Sequence, residues 1–144
     1  MEQKNILWIG GIAWLREDNT YFPEATYPGI VSGSAFQQAI IEGLEAQHHN
    51  VRILSDCDMS SGTRLEWSHN AKSRDVRVAG NGNRLLRIPT KIRELFKEIK
   101  HGNVLDGISY ACAYEMHLPY LFCLNKIKKN HPQIKTVLIC PDLS

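Results

Sequence analysis

His117 stands in the run Ala113-Tyr114-Glu115-Met116-His117-Leu118-Pro119, between an apolar stretch and a proline that can open a helix. Imidazole changes charge near neutral pH, so at a ligand crevice it can hold or move a proton; a lone histidine can equally be a structural donor. Glu115 can serve as an acid or base, although no second carboxylate is paired with it in the sequence. A second candidate is Gly29-Ile30-Val31-Ser32-Gly33-Ser34-Ala35-Phe36, downstream of an apolar stretch, Ile6-Leu7-Trp8-Ile9, that ends in Gly10-Gly11. A helix opening on glycine and serine presents backbone N–H groups to anionic or polyhydroxylic ligands. Ser34 as N-cap and Gln37 three residues later would form an S-x-x-Q capping box that fixes the start of that helix.

Other site chemistries find less support. Ile9-Gly10-Gly11-Ile12-Ala13-Trp14 is not G-x-G-x-x-G, and no phosphate-binding G-x-x-x-x-G-K-S/T run exists. Gly10 and Gly11 either touch a ligand or simply let the chain leave the sheet sharply. Cys57, Cys112, Cys123 and Cys140 form no C-x-x-C pair and have no metal-ligand spacing with the histidines, which reads as buried free thiols in a reducing cytoplasm. His48, His49 and His131 fall at expected helix ends, where capping accounts for them.

The elements that must carry these residues alternate between extended and helical. Ile6–Ile9, Val51–Leu54 and Thr136–Cys140 read as strands, the last as fully buried in a parallel sheet. Residues 34 to 47 put Phe36, Ile40 and Leu44 on one helical stripe, with Asn50 placed to end it in a left-handed conformation. Val76-Arg77-Val78 and Leu85-Leu86-Arg87-Ile88 flank the turn signal Gly80-Asn81-Gly82-Asn83, which predicts a small hairpin insertion. Ile92, Leu95, Phe96 and Ile99 mark an amphipathic helix closed by Gly102. Val104 to Cys112 reads as extended, and Pro119 opens a helix that Asn130 and Pro132 stop. The alternation predicts an α/β fold with a doubly wound, mostly parallel sheet. Ligands of such sheets bind outside the carboxyl ends of the strands, which is where His117 falls.

The segment Ile12 to Ser32 is too long for a simple connection and carries Trp14, Tyr21, Phe22 and Tyr27, rings that can pin a loop or meet a sugar face. The 144 residues make one domain, with 43% hydrophobic and 22% charged residues. A net charge of +2 argues against a nucleic-acid partner, and Lys126, Lys128, Lys129 and Lys135 read as the solvated end of a helix. No signal-peptide core and no membrane-spanning apolar run occurs, so a cytoplasmic location is expected. Pro141-Asp142-Leu143-Ser144 come directly after a core strand, so the expectation is one domain of a longer protein.

Together, Asn5-Ile6-Leu7-Trp8-Ile9, the Ser32–Phe36 helix start continued by Gln38-Ala39-Ile40-Ile41-Glu42-Gly43-Leu44, the Tyr114–Tyr120 turn and Val137-Leu138-Ile139-Cys140-Pro141-Asp142-Leu143 resemble the amino-terminal domain of family 4 glycosyltransferases. The resemblance implies a Rossmann-like domain of a retaining GT-B enzyme, spanning 1–144, whose carboxy-terminal donor domain lies outside this chain. It implies a nucleotide sugar as donor, a glycan or lipid-linked acceptor, no separate cofactor or metal, and peripheral contact with a membrane. By position, Gly10, Gly11, Ser32 and Gly33 resemble the loops facing the donor phosphates, with Ser34, Tyr114 and Glu115 beside them as substrate-binding residues. His117 resembles the crevice histidine near the transferred sugar. The alternatives are a stand-alone flavodoxin-like or nucleotide-binding domain without transferase activity, and a non-catalytic interaction domain.

Overall fold

A computed structural model describes residues 2–11, 14–15, 21–22, 29–55, 68–69, 75–78, 87–101, 103–115 and 117–140. Strand β1 (Asn5–Gly10) is followed by a two-stranded antiparallel ribbon, β2 (Trp14–Leu15) with β3 (Tyr21–Phe22), within the long first connection. Helix α1 (Gly29–Ala46) leads to β4 (Asn50–Ser55), then to β5 (Ser68–His69) and β6 (Asp75–Val78). Helix α2 (Arg87–His101), a single 3-10 turn (Asn103–Leu105), β7 (Tyr110–Tyr114), α3 (Leu118–Asn130) and β8 (Lys135–Ile139) complete the order.

The main sheet runs β5-β6-β4-β1-β7-β8, and every neighbouring pair is parallel except β5 with β6. Taken by order of appearance, its parallel strands lie third, second, first, fourth, fifth, the arrangement of a doubly wound, Rossmann-like fold. Four consecutive apolar residues of β1, Ile6 to Ile9, are all buried because the central strand is covered on both faces. Leu7 and Ile9 join α2 and α3 in one core cluster, with Leu95, Ile99, Leu124 and Ile127. Ile6 and Trp8 join α1 in the other, with Ile41, Ile53, Cys112 and Tyr114. The two alternating sets of β1 side chains thus assign α1 to one face and α2 with α3 to the other.

Several expectations shift. Helix α1 begins five residues before Ser34, so Ser34 is not an N-cap and no capping box with Gln37 exists. Its buried face centres on Gln37 and Ile41 rather than on Phe36, which is 53% exposed. His48, not Asn50, takes the left-handed position after the helix (φ 68°), and Asn50 opens β4. A small hairpin is present, but its arms are β5 and β6; Arg87 and Ile88, expected in its second arm, open α2, with Pro89 in the first turn where a missing N–H costs nothing. Leu85, Leu86 and the Gly80–Asn83 turn lie outside the described residues. The stretch from Val104 is not extended: it makes the 3-10 turn and bends at Gly107, whose φ of 71° suits glycine, before β7 begins. β8 is parallel as expected but forms the sheet edge, half-buried rather than fully buried, with Val137 exposed.

Other expectations agree with the structure. Cys112 and Cys123 are buried and Cys140 is half-buried, none of the three in a disulfide, and Cys57 lies outside the described residues. Lys128 and Lys129 occupy the last turn of α3, facing its negative dipole end, whereas Lys135, grouped with them in the sequence, opens strand β8 and Lys126 is half-buried with its ammonium 5.0 Å from the centre of the Phe96 ring. Among the described residues no helix is long and apolar enough to cross a membrane.

Burial pushes the Cys112 thiol from 9.0 up to about 11. The folded state therefore keeps its proton after the unfolded chain has lost it, and stability falls as pH rises from 9.0 to about 11. The loss assigned to this thiol is about 2–3 kcal/mol, at about 1.4 kcal/mol per pH unit. Urea unfolding of wild type and Cys112→Ala at pH 8 and pH 11 checks this: the gap between the two proteins should narrow at the higher pH, and an unchanged gap contradicts it.

Candidate functional site at the carboxyl edge

β1 and β7 are neighbours in the sheet, yet the chain leaves them toward opposite faces, through α1 and α3. A crevice forms outside the carboxyl ends of such a strand pair, because the two connections that leave it diverge. The pairing runs to Ile9 opposite Ala113, so Gly10 and Gly11 emerge beside Tyr114 and Glu115. The sequence-predicted groups Gly10, Gly11, Tyr114, Glu115 and His117 are therefore gathered at this edge.

The β1 side is fixed by Gln37. Its side chain is 2% exposed, accepts a hydrogen bond from Trp8 Nε1 (2.9 Å) and donates one from Nε2 to the Gly11 carbonyl oxygen (3.0 Å). A buried amide so satisfied stabilises the fold, whereas leaving either partner unpaired would cost about 1–3 kcal/mol. Gly10 is what lets Gln37 in. A Cβ on Gly10 would collide with Gln37 Oε1 and come within 3.3 Å of Trp8 Nε1. The glycine at position 10 is thus explained by packing. Sequence reasoning assigned Gln37 to a cap and missed this clasp; a polar residue on the apolar face of α1 was the available signal.

Aromatic rings join the three elements. Trp8 stacks on Tyr114 with centroids 6.3 Å apart, and Phe36 of α1 meets Tyr114 at 6.0 Å. Tyr114 is buried, and that burial raises its phenol above the ordinary value, with the Glu115 carboxylate adding to the effect. It stays a neutral hydroxyl at physiological pH. Phe36 keeps an exposed face beside it, the kind of apolar surface that stacks on the C–H face of a sugar.

On the β7 side, Glu115 donates its N–H to the Ile139 carbonyl oxygen (2.8 Å) and has φ 75°, a left-handed backbone uncommon for a residue with a side chain. Its carboxylate is exposed at the edge. Strained backbone of this kind concentrates at ligand sites. His117 comes next as the N-cap of α3; its carbonyl oxygen accepts from Tyr120 N (2.9 Å) and Leu121 N (3.1 Å). The imidazole makes no capping hydrogen bond and lies half-buried, edge-on to the Tyr120 ring at 5.0 Å. Ser, Thr, Asp or Asn would cap this helix better.

Ser32, Gly33 and Ser34 sit differently from expectation. All three are inside α1, and Gly33 and Ser34 lie beyond its first turn, where amide N–H groups are committed to helical bonds. The side chains of Ser32 and Ser34 lie outside the described residues. Among the described residues no cluster of His, Cys, Asp or Glu could hold a metal ion. No protein family, curated protein or solved structure compared with this chain matches it.

Proposed function

We propose that this chain is the acceptor-side domain of a retaining glycosyltransferase that transfers a sugar from a nucleotide-diphosphate sugar to a glycan or lipid-linked acceptor. The observation that carries the reading is the meeting of β1 and β7 at the switch point, with Glu115 and His117 on one lip and Gly11 on the other. Phe36, backed by the buried Tyr114 ring, offers the crevice an exposed aromatic face, while Glu115 and His117 give it groups that hydrogen-bond sugar hydroxyls. In this reading His117 orients the acceptor or the transferred sugar, and the donor is held mainly by a carboxy-terminal domain of the same protein. Work on a lipid-linked acceptor would bring the protein to a membrane surface from the cytoplasmic side.

A stand-alone nucleotide-binding domain is the second reading, and the strand order favours it as well. Against it, Gln37 occupies the space beside Gly10 that a pyrophosphate turn would keep open, and α1 starts nineteen residues after β1 ends. Saturation-transfer NMR on the chain, with oligosaccharides and nucleotide sugars as separate ligands, separates the two readings. The proposal expects oligosaccharide binding and little or no nucleotide-sugar binding. Tight, stoichiometric nucleotide-sugar binding would overturn it.

A further inference from the structure

Helices α2 and α3 pack against each other on one face of the sheet, and each ends at the amino edge, where the next strand is about to begin. A cleft of about 300 Å³ lies between these ends, lined by Ile99 and Lys100 of α2, by Lys126 and Asn130 of α3, and by His131, which caps α3. Buried Ile99 gives it an apolar surface. Its polar lining is two ammonium groups, an imidazole and a carboxamide, and among the described residues no carboxylate joins them. Neither Lys100 nor Lys126 is paired with a described carboxylate.

The negative end of α3 accounts for Lys128 and Lys129, which stand in its last turn. It does not account for Lys126, which stands before that turn. Lys126 is half-buried, and the Phe96 ring of α2 under its ammonium holds it at the cleft rather than in open solvent. His131 is fixed through its backbone, whose N–H donates to the Ile127 carbonyl oxygen (2.7 Å). Its half-buried imidazole lines the same cleft. Cations gathered in a cleft with apolar walls focus their field and draw anions into it.

We infer that this cleft binds a phosphomonoester, with the phosphoryl group between Lys100 and Lys126 and with His131 and Asn130 as further N–H donors. A phosphomonoester carries a charge of about −1.5 to −2 near neutral pH and three strong acceptor oxygens. Two ammonium groups and two further donors match that demand, whereas a carboxylate brings one charge and two oxygens. The volume admits one phosphoryl group with a small organic part, since small-molecule sites begin at about this size. A nucleic-acid strand would instead need a groove that follows its backbone past several phosphates. The site is at the amino edge of the sheet, opposite the crevice of Gly11 and His117, and does not depend on the transferase reading.

Amide NMR of the ¹⁵N-labelled chain, titrated with phenyl phosphate and separately with benzoate, tests this. Saturable shifts at Lys100, Asn130 and His131 are expected with phenyl phosphate, much weaker with benzoate, and with Gly11 and Leu118 unmoved. Lys100→Gln combined with Lys126→Met, which keeps a stem over Phe96, should weaken phenyl phosphate at least about tenfold. Lys100 is exposed, so Lys100→Gln alone still weakens binding measurably should the pair disturb folding. Lys128→Gln with Lys129→Gln removes the same charge outside the cleft and should change affinity less than about twofold. Sedimentation with phosphatidylcholine vesicles containing phosphatidic acid or phosphatidylserine separates the sources of the group. Phosphatidic acid bound in preference to phosphatidylserine assigns it to a lipid headgroup, and phenyl phosphate bound without either lipid assigns it to a soluble ligand. Equal affinity for benzoate, equal losses from the two lysine pairs, or shifts centred on Gly11 and Leu118 would each overturn the proposal. So would equal binding to the two lipids, or no saturable binding of phenyl phosphate or phosphatidic acid.

Discussion

Gly10→Ala should destabilise the protein by about 3–5 kcal/mol, a large share of the roughly 5–15 kcal/mol that holds a domain together. The backbone at Gly10 is not left-handed, so the cost comes from space rather than conformation. The new methyl would meet Gln37 Oε1, and Gln37 cannot withdraw without breaking its bonds to Trp8 and the Gly11 carbonyl oxygen. Overpacking a core costs about 1–3 kcal/mol, and an orphaned buried indole N–H adds a comparable amount. Gln37→Ala removes the obstacle and bears its own penalty, so the double variant should be far less unstable than the sum of the two single changes. Urea melts of the four proteins measure that coupling. Additive losses would show that Gly10 and Gln37 do not constrain each other.

On the proposed transferase reading, His117→Ala in an active form of the protein should lower turnover by about a hundredfold, the scale of one positioned hydrogen-bonding group at a reacting centre. Stability should change little. The imidazole supplies no cap bond, so its removal costs only its edge contact with Tyr120, about 1 kcal/mol and a few degrees in Tm. His117→Asp sharpens the test, because a carboxylate at the N-cap should stabilise α3 by about 1 kcal/mol. A variant that is more stable and nearly inactive would mark His117 as a residue kept at a poor cap for its chemistry. Normal turnover in His117→Ala, or a loss of stability that matches the loss of activity, would remove it from the site.

Elements written by strong local signals were legible. The apolar runs of β1 and β4, the stripe of α2 and the proline at the start of α3 appear where the sequence places them. The carboxyl edge was legible with them, since His117 lies between a strand and a helix wherever the sheet is cut. Features set by distant partners were not legible. Ser34 and Gln37 match a capping box locally, but Gln37 is bound by Trp8, 29 residues away. The turn signal at Gly80–Asn83 suggested that β6 pairs with the segment after that turn, whereas β6 pairs with β5 before it and with β4 in parallel. β8 has the composition of a buried strand, yet its place at the edge depends on sheet order, which a strand's own residues do not encode.

The carboxyl edge between β1 and β7 is where the transferase reading places the carbohydrate. Backbone amide mapping by ¹H–¹⁵N NMR, titrating the chain with an acceptor-type oligosaccharide, tests that placement most directly. Shifts should concentrate at Gly11, Tyr114, Glu115 and Leu118, with the amides of Ile6, Tyr110 and Lys135 at the opposite edge unmoved. Shifts centred on that amino edge, or none at saturating oligosaccharide, would contradict it.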